Sequence, residues 1–95
     1  MIVVHVGEDG ITVDGHADYA ETGKDIVCAA VSVLAQNLIK SMKDLTRDCI
    51  KYAILPGHID IEFKNLSERG KLLVDSFFIG VSFISESYSE YVQIK

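Results

Sequence analysis

The sequence predicts an α+β fold, a two-layer α/β sandwich in the order β-β-α-β-β-α-β, with a mostly antiparallel sheet and two helices. Three observations carry that expectation. Two stretches, residues 2–14 and 49–64, alternate apolar and polar residues on either side of a turn. Two longer stretches, 25–42 and 67–87, repeat apolar residues at intervals of three and four. A short alternating segment at 91–94 closes the chain.

The first hairpin turns around Glu8-Asp9, with Gly7 and Gly10 supplying the turn chemistry. Its register sets Val6 opposite Ile11, Val4 opposite Val13 and Ile2 opposite Gly15, which puts five apolar side chains on one face. His5, Thr12 and Asp14 take the other face, and His16 continues their parity just past the strand end. Residues 17–24 are polar and end in Gly23-Lys24, so they form a loop, and Gly23 makes that loop a candidate for movement. Asp25 stands where a helix N-cap belongs. Val27, Val31, Leu34, Leu38 and Met42 then form an amphipathic stripe. Its first two turns are apolar almost all round, Ile26 and Val33 included, so cover is expected on more than one side, from the sheet and from a second helix or subunit.

The second hairpin turns at Pro56-Gly57 and pairs Ile54 with Ile59, Tyr52 with Ile61 and Ile50 with Phe63. One apolar face results again, with Lys51, Asp60 and Glu62 opposite. Residues 67–87 fit either alternation or a helical stripe. A helix is preferred, because Ser67 is a fair N-cap and the segment is too long for an ordinary strand.

Ninety-five residues suit one domain, 1–95, that buries roughly 60–65% of its chain surface. So small a domain leaves little room for an enclosed chamber. A functional site is expected on the surface or in a groove shared with a second subunit, and a homodimer is a reasonable expectation. Fourteen acidic residues against nine basic give a net charge of −5, with no basic patch, so no direct nucleic-acid contact is expected. The first ten residues lack the charged start of an export signal, and no apolar run approaches the ~20 residues of a membrane span. Two cysteines without a signal peptide suggest a reducing compartment, and a cytoplasmic location is expected.

The stretch from Gly15 to Leu34 combines a base, a nucleophile and the loop between them. Cys28 falls in the first turn of the first helix, where backbone N–H groups and the helix dipole favour a thiolate. His16 could take its proton, and the N–H groups of Cys28 and its neighbour could hold an oxyanion. Ser32 lies one turn beyond Cys28 on the same side. Judged by residue type alone, Cys28 is a small buried hydrophobe, His16 a structural residue, Asp25 a helix cap and Ser32 a packing residue.

The residues GHA-x-YA-x-x-G-x-DIVCAAVS, spanning 15–34 with the two that follow, resemble the signature of the bacterial ribosomal-processing cysteine proteases. The later strands, the second helix and SYSEYVQI resemble that family more loosely. The resemblance implies a cytoplasmic homodimer without cofactor or metal. Its implied substrate is the precursor of large-subunit ribosomal protein twenty-seven, from which it removes an N-terminal extension ending in apolar and aromatic residues. It implies His16 and Cys28 as the catalytic pair, with Asp25 and Ser32 in support. Asp25 is left with two roles, orienting His16 or capping the helix. The loop, through Ala17, Tyr19 and Gly23, is then a gate that orders over bound peptide.

Three other readings stand beside this one. A non-catalytic ribosome-assembly or protein-binding module would use the same positions structurally. A thiol-redox protein pairing Cys28 with Cys49 lacks a CxxC motif. Metal binding by His5, His16 and His58 lacks ligand spacing.

Overall fold

The computed structural model describes residues 1–21 and 23–95. The elements follow the expected order: β1 (Ile2–Val6), β2 (Gly10–Asp14), α1 (Ile26–Leu45), β3 (Ile50–Leu55), β4 (His58–Phe63), α2 (Glu68–Ser87) and β5 (Val92–Ile94). Both hairpins form in the register that their alternation dictates. Val4 faces Val13 and Val6 faces Ile11, while Ile54 faces Ile59 and Tyr52 faces Ile61. The first ladder ends at Val3–Asp14, one pair short of Ile2–Gly15, because the Gly15 N–H turns away to the Gly57 carbonyl at 2.8 Å.

The five strands lie in the order β3-β4-β2-β1-β5. Both hairpins, and the β2–β4 pairing that joins them, are antiparallel; β5 runs parallel to β1. β2 approaches β4 closely at Gly10, where a Cβ would come 2.6 Å from the Ile61 carbonyl oxygen.

One face of the sheet carries the core. Ile2, Val4, Ile11, Val13, Ile59, Ile61, Phe63 and Val92 are buried there against Val27, Val31, Ala35, Leu38, Ile39 and Met42 of α1, and against Phe77 and Val81 of α2. The other face is polar and carries the cross-strand Asp14–His58 pair, part-exposed and on that account worth little to stability. α1 is 20 residues long and contains an 18-residue stretch with a mean hydropathy of 1.3, enough in length and composition for a membrane span, which the apolar-run count had not anticipated. Its buried stripe is taken up by the sheet instead.

α2 is a helix over the stretch that could also have read as a strand. Ser67 caps it, its Oγ accepting the Gly70 N–H at 3.1 Å, and the Asp48 carboxylate accepts both the Ser67 N–H and its hydroxyl. The two helices cross where Gly80 leaves room for Leu34, whose methyls lie 3.1 Å from the position a Cβ would take.

Two expected burials differ. Tyr52 and Ile54 lie on the helix side of the sheet yet remain 42% and 47% exposed, because α1 covers β4 and leaves the edge strand β3 open. The Lys43 ammonium reaches over, 4.6 Å from the Tyr52 ring centroid and 2.6 Å from its hydroxyl. Ile26 and Val33, whose cover was expected from the sheet and from a second helix or subunit, are 56% and 65% exposed on the outer side of α1, so neither the sheet nor α2 of the same chain covers them.

Candidate active site

The site forms where β2 ends. Gly15 has φ +95°, and the Met1 carbonyl occupies the space a side chain at 15 would need, so only glycine allows this turn. The chain then presents the His16 ring to the β3–β4 turn. Gly57 there has φ +70°, and a Cβ at that position would stand 2.9 Å from His16 Nε2. The His16 ring thus rests on the bare α-carbon of Gly57, while the Gly15–Gly57 hydrogen bond ties the two turns together. The Met1 amino group donates to the His16 carbonyl at 2.6 Å.

Cys28 lies in the first turn of α1, half-buried, as its spacing from Asp25 requires. Its Sγ accepts a hydrogen bond from the backbone N–H of Ala17 at 3.1 Å, not from the imidazole ring. Cys49 is also a free thiol, exposed at the start of β3.

Asp25 caps α1, but it does more than cap. Oδ1 accepts the N–H groups of Val27 at 3.0 Å and Cys28 at 2.9 Å; Oδ2 accepts those of Tyr19 at 3.0 Å and Ala20 at 3.4 Å. None of these four bonds comes from His16. One carboxylate therefore joins the loop to the helix start. The Cys28 N–H is the main cause holding the Asp25 carboxyl below its ordinary pKa; desolvation opposes it, and the Tyr19 and Ala20 N–H groups and the Cys28 thiol add to the lowering.

The donors expected to form the oxyanion hole already have partners. The Cys28 N–H is held by Asp25 Oδ1, the Val27 N–H likewise, and the Ala29 N–H by the Asp25 carbonyl at 3.1 Å. Those three donors in the first turn are already engaged. Ser32 lines the same walls as Cys28, with its Oγ accepting from Gln36 Nε2 at 2.9 Å.

Two cavities flank the pair, and both His16 and Cys28 line each of them. The larger, about 570 Å³, opens toward Asp18, Lys24, Asp25 and Ile26. The smaller, about 240 Å³, runs between α1 and the β3–β4 hairpin, with Val31, Ile54, Leu55 and Pro56 as apolar walls.

The loop is held unevenly along its length. Ala17 is 2% exposed in the core. Tyr19 stacks edge-on to Tyr88 at 5.5 Å and Tyr91 at 5.2 Å. Glu21, Gly23 and Lys24 are exposed, and at Gly23, φ +88°, nothing stands within 4 Å of a built Cβ. The first half of the proposed gate is therefore anchored, and freedom is left to the Gly23 side.

Gly57, Tyr88, Tyr91 and the Ala17 amide were not among the expected site residues. Pro56-Gly57 signalled a turn but not its target. A backbone N–H has no side-chain signature at all.

The cysteine protease Prp family model matches residues 1–93. A Staphylococcus aureus protein named ribosomal processing cysteine protease Prp is 30% identical over 87 residues, covering 88% of this chain and 82% of its own length. The structure is similar to that of S. aureus Prp bound to a covalently linked product peptide, with a TM-score of 0.92 at 26% identity over 100% of this chain and 98% of that one. A Streptococcus mutans protein, SMU.848, matches with a TM-score of 0.75 at 28% identity over 99% and 90%. With a cysteine and a histidine facing common cavities and likeness along nearly its whole length, this chain belongs to the cysteine protease Prp family.

Proposed function

We propose that this protein is the endopeptidase that removes the N-terminal extension from the precursor of large-subunit ribosomal protein twenty-seven, acting in the cytoplasm, with Cys28 as nucleophile and His16 as base. The observation that carries the reading is the sharing of both cavities by Cys28 and His16 in a chain of this family. S. aureus relatives named for ribosomal processing, one of them seen with a covalently linked product peptide, support the substrate class. The apolar walls at Val31, Ile54 and Leu55 suit an extension that ends in apolar and aromatic residues.

In the proposed mechanism His16 accepts the Cys28 thiol proton, and the sulfur attacks the scissile carbonyl carbon. The C–S bond forms as the carbonyl π pair moves to oxygen. Collapse of that oxyanion expels the amine, which takes the proton from His16, and leaves a thioester. A water molecule then gives its proton to His16 and attacks the thioester. Collapse releases the carboxylate end of the extension and returns the thiol. Asp25 holds the loop and helix together rather than orienting the base, and Ser32 forms part of the wall.

A homodimer belongs to the same proposal. Leu72, Ile79 and Phe83 recur along one side of α2 and are each 69% exposed, an apolar stripe that a second copy would cover.

The test is incubation with a synthetic peptide spanning the junction of the host precursor. Wild type cleaves it and Cys28→Ala does not. Cleavage retained in Cys28→Ala overturns the reading. No cleavage by wild type favours a non-catalytic binding module.

A further inference from the structure

The N–H groups of Val27, Cys28 and Ala29 are engaged by Asp25, yet a charged sulfur still needs hydrogen-bond donors in a half-buried position. The N–H that meets it comes from Ala17. Resting on the catalytic pair proposed above, we infer that the Ala17 backbone amide is the anion-stabilising donor of the active site, supplied by the loop residue next to the base rather than by the helix that carries the nucleophile.

Three observations place this donor. The Ala17 methyl is buried in the core at 2% exposure, so the amide plane is anchored and cannot follow the loop beyond it. Asp18 adopts φ +57°, a left-handed conformation that Asp tolerates better than most residues, and the chain reverses there. On one side of that reversal the Ala17 N–H meets Sγ; on the other, the Tyr19 and Ala20 N–H groups meet Asp25 Oδ2. The carboxylate thus draws its own donors from the loop, and the loop hands a different donor to the sulfur. An Asp25 carboxylate so near Cys28 opposes a thiolate by charge; a fixed donor aimed at the sulfur offsets that opposition.

The consequence for the reaction follows from charge movement. When the C–S bond forms and the carbonyl π pair moves to oxygen, negative charge leaves the sulfur for an atom two bonds away. The Ala17 N–H loses its acceptor at the moment a new one develops beside it. Base and donor are consecutive residues, so any shift of this segment moves both.

The test replaces one atom. Native ligation at Cys28 joins a synthetic 1–27 segment to 28–95, and the Ala17 amide is replaced by an ester, which removes the N–H and keeps the side chain. With iodoacetamide as probe, Cys28 alkylation at neutral pH falls about 10- to 100-fold, the worth of one hydrogen bond to a charged group, and the pH profile moves upward. The matching ester at Tyr19 removes a bond to Asp25 and leaves that profile in place. A profile unmoved by the Ala17 ester, or moved equally by both esters, overturns the inference. If the Ala17 ester fails to fold, ¹⁵N-edited spectra of the wild type decide. The Ala17 N–H resonance follows the titration of Cys28 and stays still in Cys28→Ala; no response in wild type overturns the inference. Cleavage retained in Cys28→Ala would sink the catalytic pair itself, whereas an unmoved profile in an active enzyme sinks only the role of Ala17.

Discussion

His16 and Gly57 show how a functional position can depend on the absence of an atom. The imidazole rests where a Cβ at 57 would come 2.9 Å from Nε2, so the turn glycine serves both the backbone and the base. Backbone and contact can be separated by substitution. Asn tolerates φ near +70° but brings a Cβ, so Gly57→Asn keeps the turn and displaces the ring. A displacement approaching 1 Å costs about a hundredfold in rate. We expect kcat on the precursor peptide to fall by about that factor, with KM and melting temperature little changed. An unchanged kcat would mean that the ring does not depend on this seat. None of this was legible in the sequence, where Pro56-Gly57 reads only as a turn. The places of Cys28, His16 and Asp25 were legible because a strand end, a helix cap and first-turn spacing are local features, but their candidacy as a site came from the family resemblance, since residue type alone reads each as structural.

At the scale of elements, Asp25 connects two of them. The sequence left it to cap α1 or to orient His16. The structure gives it the cap and a second task, holding the Tyr19–Ala20 backbone, for which no local spacing signal exists. The sign of its pH effect is fixed by the direction of its shift. The folded-state pKa is lowered, chiefly by the Cys28 N–H, so its contribution is present above the ordinary carboxylate value and is lost as pH falls through the lowered one. Asp25→Asn should therefore melt below wild type at pH 7, and the gap should narrow as pH drops below about 4. Thermal melts across that range check it; a gap independent of pH would assign the effect to shape instead. The first helix and both hairpin registers followed from periodicity and the second helix from its cap and length, because each depends on neighbours within one segment. The burial of β3 did not, because whether a helix reaches an edge strand is decided by helices packed elsewhere in the chain.

For the molecule as a whole, sheet order was the least legible feature. Alternation predicts partners within a hairpin but cannot choose between hairpins. The β2–β4 pairing comes from how α1 carries the chain from β2 to the second hairpin, and the parallel β1–β5 pairing from how α2 carries it from β4 back across the sheet. The exposed apolar stripe on α2 is likewise a property of the assembled layers. If Leu72, Ile79 and Phe83 meet a second copy, light scattering gives the mass of two chains for wild type and of one for an Ile79→Glu, Phe83→Glu double variant. A single-chain mass for wild type at micromolar concentration would remove the dimer from the account.

The central claim is that His16 and Cys28 work as a pair, and the two free thiols of this chain allow a direct internal comparison. The measurement is the rate of iodoacetamide labelling at each cysteine near neutral pH, read by peptide mass in wild type and in His16→Ala. The account predicts that Cys28 reacts faster than the more exposed Cys49 in wild type, and that this advantage falls in His16→Ala while the Cys49 rate stays the same. Equal labelling of the two cysteines, or a Cys28 rate indifferent to His16, would contradict it.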